Sequence, residues 1–131
     1  KLFVYGSISD EDIVYRIRKL QNNEMNTMAL IIDTLRYIED QAITSFVESY
    51  KPTYLLIKEV SNTSYMRTRR RNEKDLRLLS PQGIVSLFNK YEAKTIYISK
   101  YILSFKDPQK WLLMLINLVS PTYTIILQRK K

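Results

Sequence analysis

The densest cluster of chemically active side chains in this 131-residue sequence is a run of arginines near its middle. Four of the five residues from Arg67 to Arg71 are arginines. Guanidinium groups donate paired hydrogen bonds to phosphate oxygens, and a nearby tyrosine ring can stack on an exposed base. The run therefore predicts contact with the phosphate backbone of DNA or RNA, largely independent of base sequence. The predicted nucleic-acid-binding residues are Tyr65, Arg67, Arg69, Arg70, Arg71, Lys74 and Arg77.

The same arginines permit two other interpretations. They can form a solvated loop in which they pair with Glu73 and Asp75, or they can bind an acidic surface on a protein partner. The second interpretation makes the chain an assembly domain of a larger complex, and a degenerate enzyme fold kept as a scaffold fits that role.

Two carboxylates stand where strands are predicted to end, which is where a magnesium-dependent nuclease would hold its metal. Asp33 follows one apolar run and Glu59 lies near the end of another. However, the first predicted strand contains no acid, and the order Lys58-Glu59-Val60 differs from the Glu-x-Lys of restriction-type nucleases. Asp33 also suits the N-cap of a helix. A nuclease is therefore the third hypothesis, and we predict no catalytic residue, metal or cofactor.

A possible phosphate-binding turn, Gly6 to Ser9, leads from the first predicted strand into a helix. It has one glycine rather than the GxGxxG pattern, and the acids at 10–12 would repel an anion. We expect a plain strand-to-helix turn.

Composition excludes several classes of chemistry. The chain has no Cys and no His, so a disulfide scaffold, a zinc finger and a histidine-based catalytic triad are all impossible within it. It carries 21 Lys+Arg against 13 Asp+Glu, a formal charge of +8, which favours polyanionic partners. Residues 9–48 hold eight acids and four bases, so the excess positive charge lies in the second half.

Length and hydrophobic content (45%) predict one domain, residues 1–131, with a single core. Both ends pass abruptly from an apolar run to the terminus, so we expect a domain that belongs to a longer protein. No run is long enough to span a bilayer, so no membrane partner is predicted. The lack of cysteine is compatible with an intracellular location.

The predicted elements alternate between strand and helix. A strand at residues 2–5 precedes a helix whose apolar face holds Ile13, Val14, Ile17 and Leu20. Residues 24–50 allow either one long helix or, as we favour, a strand at 28–32 and a helix from 34 to 50. Further strands are predicted at 53–60, from 95 to 98 or 103, and at 123–127, with a helix beginning at Ser80-Pro81.

Asp107-Pro108 is predicted to begin the last helix. Its spacing assigns Trp111, Leu112, Leu115 and Leu118 to the core. Tyr97, Lys100 and Tyr101, with the basic tail at 129–131, form a possible extension of the basic and aromatic surface, although we expect them to divide between core and surface.

Alternation at this spacing predicts an α/β domain with a mostly parallel sheet of four or five strands and helices on both faces, flavodoxin-like or Rossmann-like. On that scaffold, the leading expectation is a non-catalytic, intracellular module that binds nucleic acid.

Overall fold

The computed structural model describes residues 27–61, 79–98 and 103–131, which form five strands, three helices and one short 3-10 turn. The strands are β1 (Met28–Ile32), β2 (Tyr54–Val60), β3 (Tyr91–Ile98), β4 (Leu103–Lys106) and β5 (Thr122–Arg129). The helices are α1 (Asp40–Tyr50), α2 (Pro81–Leu87) and α3 (Lys110–Val119), and the 3-10 turn is Leu35–Tyr37.

The five strands form one mixed sheet in the order β1-β2-β5-β3-β4. Only β1 and β2 pair in parallel, and the other three neighbouring pairs are antiparallel. The predicted mostly parallel, flavodoxin-like or Rossmann-like sheet is therefore wrong.

The position of β5 explains this error. The strands joined through a helix do run in the same direction, as the alternating pattern predicts: β1 with β2, β2 with β3, and β4 with β5. However, β5 inserts between β2 and β3 and runs antiparallel to both, while β3 and β4 pair as antiparallel neighbours. The sequence pattern predicts that strands joined through a helix run in the same direction, but it does not predict that β5 inserts between β2 and β3.

Within the described residues, the three helices contribute to one core on a single face of the sheet, so the expectation of helices on both faces is wrong. Alternate residues of the central strands form the sheet side of this core, including Leu55, Ile57, Ile96, Ile125 and Leu127. The helix side comes from Ile43 and Val47 of α1, Ile84 of α2, and Leu113 and Ile116 of α3.

The opposite face of the sheet, which we call the open face, is partly apolar. On β1, the side chains of Met28, Leu30 and Ile32 point to this face and are about half exposed (52, 61 and 49%). Leu56 of β2 and Ile126 of β5 continue it as cross-strand neighbours.

Most of the local predictions within the described residues are confirmed. Residues 28–32 are a strand, so the alternative of one helix over 24–50 is wrong, and α1 begins only at Asp40. The Ser80 side chain caps α2 by accepting a hydrogen bond from the Gly83 N–H (2.9 Å). The separate strand β4 was not predicted. The predicted strand at 2–5, the helix after it and the turn at Gly6 lie outside the described residues.

The side of helix α3 that faces the core is not the predicted one. Trp111, Leu115 and Leu118 are 62, 46 and 72% exposed, while Leu113 and Ile116 are buried. Leu112 is the one predicted core residue of the four that packs against the core, and it is only partly buried. Nine of the ten residues of α3 carry no charge and eight are apolar, so spacing alone does not identify the inward face.

Candidate functional site

The arginine-rich residues themselves, Tyr65, Arg67, Arg69, Arg70, Arg71, Lys74 and Arg77, lie outside the described residues. The structure does describe the residues on either side, Ser61 and Leu79. We call the 17 residues between them, 62–78, the arginine segment; it holds six basic and two acidic side chains.

The two residues that flank the arginine segment, Ser61 and Leu79, are both held near the start of β5, and we call them its anchors. The backbone N–H of Ser61 donates to the carbonyl of Pro121 (2.9 Å), and its hydroxyl donates to the carbonyl of Asn117 (2.9 Å). The Tyr123 hydroxyl donates to the carbonyl of Leu79 (2.8 Å). Ser61 and Tyr123 are fully buried, and burial raises the pKa of the Tyr123 hydroxyl, which keeps it protonated as a donor. Both anchors therefore lie at one edge of the sheet, beyond the carboxyl end of β2.

The two candidate metal-binding carboxylates lie at the same edge, and both face one guanidinium. Arg36 Nη2 donates to Asp33 Oδ1 (2.7 Å), and Arg36 Nε lies 3.9 Å from Glu59 Oε2. Arg36 is 9% and Glu59 3% exposed. A protein cation thus stands between the carboxylates, where a magnesium ion would have to bind. Among the described residues, no group of three or more His, Cys, Asp or Glu side chains is arranged to hold a metal.

Glu59 has a structural contact that accounts for its burial. Its Oε1 accepts a hydrogen bond from the backbone N–H of Leu35 (2.8 Å), which starts the 3-10 turn after β1. Burial raises the pKa of Glu59 above its ordinary value, and the Leu35 N–H and the Arg36 charge only partly oppose that rise. Asp33 does not cap a helix as predicted: it adopts a left-handed backbone conformation (φ 52°) and pairs with Arg36.

A second basic surface occupies the opposite end of the sheet. Lys51, Lys90 and Arg129 line a small surface cavity of about 100 Å³, with Glu48 as its single acidic residue. Lys90 pairs with Glu48 (2.6 Å), and this contact lowers the pKa of that exposed carboxylate. The next residue, Lys130, donates through Nζ to the carbonyl of Asn89 (2.8 Å).

This basic end is separate from the anchors of the arginine segment. Lys51 lies before β2 and Ser61 lies after it. A seven-residue strand spans roughly 23 Å, so Lys51 and Ser61 lie at opposite ends of β2, at least about that far apart. The tail at 129–131 begins at the end of β5 and lies at the same end of the sheet as Lys51, opposite to Ser61. Tyr97 lies on the open face and is 42% exposed, while Lys100 and Tyr101 lie outside the described residues.

Sequence reasoning missed the outer surface of α3. Trp111, Met114, Leu115, Leu118 and Val119, which we call the α3 stripe, are all 46–72% exposed. Their spacing of i, i+3, i+4, i+7 and i+8 puts them on one side of the helix. The composition of α3 could have indicated this surface. A helix with apolar residues on every side cannot bury all of them against a single core.

None of the helices in the described part of the chain combines the length and the apolar character needed to cross a bilayer.

A scan against protein-family models finds no match for this chain. A search of curated proteins also finds none with significant similarity.

Proposed function

We propose that this domain is a non-catalytic nucleic-acid-binding module that contacts the phosphate backbone through the arginine segment. The observation that carries the proposal is the density of arginine at 67–71, four in five residues, in a chain of net charge +8. Arginine is the side chain best suited to bidentate phosphate contact, and a charge of this sign concentrates polyanions near the protein.

The two anchors of the arginine segment support this proposal. Hydrogen bonds with Pro121, Asn117 and Tyr123 hold Ser61 and Leu79 at one edge of the sheet. A rigid base lowers the entropy that the segment would lose on binding compared with a free tail. The acidic side chains at this edge do not oppose a phosphate strongly, because Asp33 and Glu59 both face the Arg36 guanidinium.

The test is a fluorescence anisotropy titration with single- and double-stranded DNA and RNA of equal length at several salt concentrations. With about four phosphates neutralised, the log–log plot of affinity against salt is expected to have a slope of roughly −3 to −4. The triple variant Arg69→Ala, Arg70→Ala, Arg71→Ala is expected to abolish binding at moderate salt.

The matched control removes the same charge from exposed lysines at the other end of the sheet: Lys106→Ala, Lys110→Ala, Lys131→Ala. This variant is expected to retain most of the affinity and the slope. Absence of binding at low salt, or equal losses in the two triple variants, would reject specific contact by the arginine segment.

A protein–protein assembly domain is the second candidate function, and the exposed α3 stripe favours it. Large exposed apolar patches on a folded domain mark interaction surfaces. This function predicts that the nucleic-acid titrations fail while the isolated domain aggregates and is made soluble by a protein partner.

A further inference from the structure

We propose that the α3 stripe is a self-association surface on which the α3 helix of a second copy of this chain packs antiparallel, related by a two-fold axis. This inference does not depend on nucleic-acid binding. It concerns the exposed side chains of α3, whereas Ser61 is held by the backbone carbonyls of Asn117 and Pro121 at the C-terminal end of that helix.

The first argument is that α3 has no polar outer face. Leu113 and Ile116 are buried in the core, and the exposed half of the helix still presents Trp111, Met114, Leu115, Leu118 and Val119 to solvent. An ordinary surface helix carries charged and polar residues on that side. Of the ten residues of α3, only Lys110 is charged.

The second argument is area. Five large side chains that are 46–72% exposed offer on the order of 500 Å² of mostly apolar surface. Two copies together would bury about 1,000 Å² through the stripes alone, which reaches the lower limit for a specific protein interface.

The third argument is that the α3 stripe is complementary to itself when the two helices run antiparallel. Its centre is Leu115, so a two-fold axis at this residue puts Trp111 of each copy against Val119 of the other. The largest side chain of the stripe then meets the smallest, which favours close packing.

The charge distribution selects the antiparallel arrangement. Lys110 lies at the N-terminal end of α3, and no basic residue lies in the last turn. An antiparallel partner brings Lys110 near the C-terminal end of the other helix, where the backbone carbonyls make the helix dipole negative. A parallel pair would instead bring the two Lys110 ammonium groups together.

The direct test is the mass of the full chain by sedimentation velocity and light scattering over a concentration series. We expect a reversible change from 15.6 kDa to twice that mass as concentration rises. Leu118→Glu buries a charge in the interface and is expected to weaken the dimer at least about thirty-fold.

Leu30→Glu is the matched control, because it makes the same leucine-to-glutamate change at a site on the open face where Leu30 is 61% exposed. It is expected to leave the dimer unchanged. Circular dichroism of both variants checks that each remains folded.

Cysteine cross-linking tests the geometry, because the chain contains no cysteine of its own. Leu115→Cys sits at the proposed axis and is expected to form a disulfide-linked dimer rapidly under mild oxidation. Val119→Cys faces Trp111 rather than itself and is expected to cross-link much more slowly, as is Leu30→Cys.

Three results would overturn the proposal. They are a chain that stays monomeric at every concentration, a dimer that Leu118→Glu leaves intact, and a dimer lost in Leu30→Glu instead. A monomer that co-sediments with anionic phospholipid vesicles through Leu118 would assign the α3 stripe to a lipid surface and would likewise reject self-association.

Discussion

Glu59 illustrates how a residue suited to chemistry can have a structural role. Its position near a strand end fits a metal ligand, yet its carboxylate accepts the Leu35 N–H and faces Arg36. Sequence predicted where this carboxylate lies but not its partner, because Arg36 approaches it only once the chain turns back after β1. A contact 23 residues apart in sequence has no local pattern that could reveal it.

The raised pKa of Glu59 makes a prediction about pH. Its ordinary pKa is near 4.5, and burial raises the pKa in the folded protein. Between the two values the folded state binds more protons than the unfolded state, so the free energy of unfolding falls as pH rises through this window. Glu59→Gln keeps an acceptor for Leu35 and does not titrate. Its free energy of unfolding is therefore expected to increase relative to that of the wild type as the pH rises through this window, which begins near the ordinary pKa of 4.5.

Urea denaturation at a series of pH values measures this difference. Glu39→Gln, which removes an exposed carboxylate, is the control and should show little change relative to the wild type. A difference for Glu59→Gln that does not vary with pH would contradict the prediction.

The helices show which element properties are readable from sequence. The start of α2 is predictable because Ser80 and Pro81 are a cap and a first-turn residue whose preferences are local. The orientation of α3 is not predictable, because apolar residues occupy almost every position and several faces fit the core equally well. The strand at 28–32 can be predicted because its apolar run is short. The exposure of its side chains on the open face cannot be predicted from that run.

The cap of α2 carries its own prediction. Ser80→Ala removes the acceptor for the Gly83 N–H, and we expect a loss of about 1 kcal/mol in the free energy of unfolding. Ser86→Ala changes the same residue type at an exposed position within the helix and should cost much less. Paired urea denaturation curves give both values, and equal losses would mean that the Ser80 hydroxyl contributes no capping energy.

At the scale of the whole molecule, strand alternation predicts which strands share a direction but not which strands are neighbours. β2 and β3 run the same way, yet β5 lies between them. Its inner face, with Tyr123, Ile125 and Leu127 all fully buried, belongs to the centre of the core. Nothing within residues 122–129 distinguishes a central strand from an edge strand, since both can be apolar on alternate residues.

The central position of β5 predicts a large cost for truncating its core residues. Ile125 pairs with Ile57 on one side and Ile96 on the other and is fully buried. Ile125→Ala is expected to lower the free energy of unfolding by about 3–4 kcal/mol through lost burial and a residual cavity. Ile126→Ala, on the open face of the same strand, should cost no more than roughly half as much. Denaturation with urea measures both losses. A larger loss for Ile126→Ala than for Ile125→Ala would contradict the assignment of Ile125 to the core face of β5.

Self-association through the α3 stripe would also appear in thermal stability. A partner that binds only the folded state raises the midpoint of unfolding as its concentration rises. The Tm of the wild type is therefore expected to increase with protein concentration, while that of Leu118→Glu stays constant. Calorimetry over a concentration series distinguishes this from a Tm that is the same at every concentration.

The place of β5 in the sheet also has a consequence for how the chain is made. A ribosome delivers β1, β2, β3 and β4 before residues 122–129 emerge, and until then the edges of β2 and β3 that β5 will join have no partner. Unpaired strand edges on a nascent chain are prone to pair with other chains. The sheet is completed only when this late segment arrives, so the interval before its arrival is when a holding chaperone would be most useful.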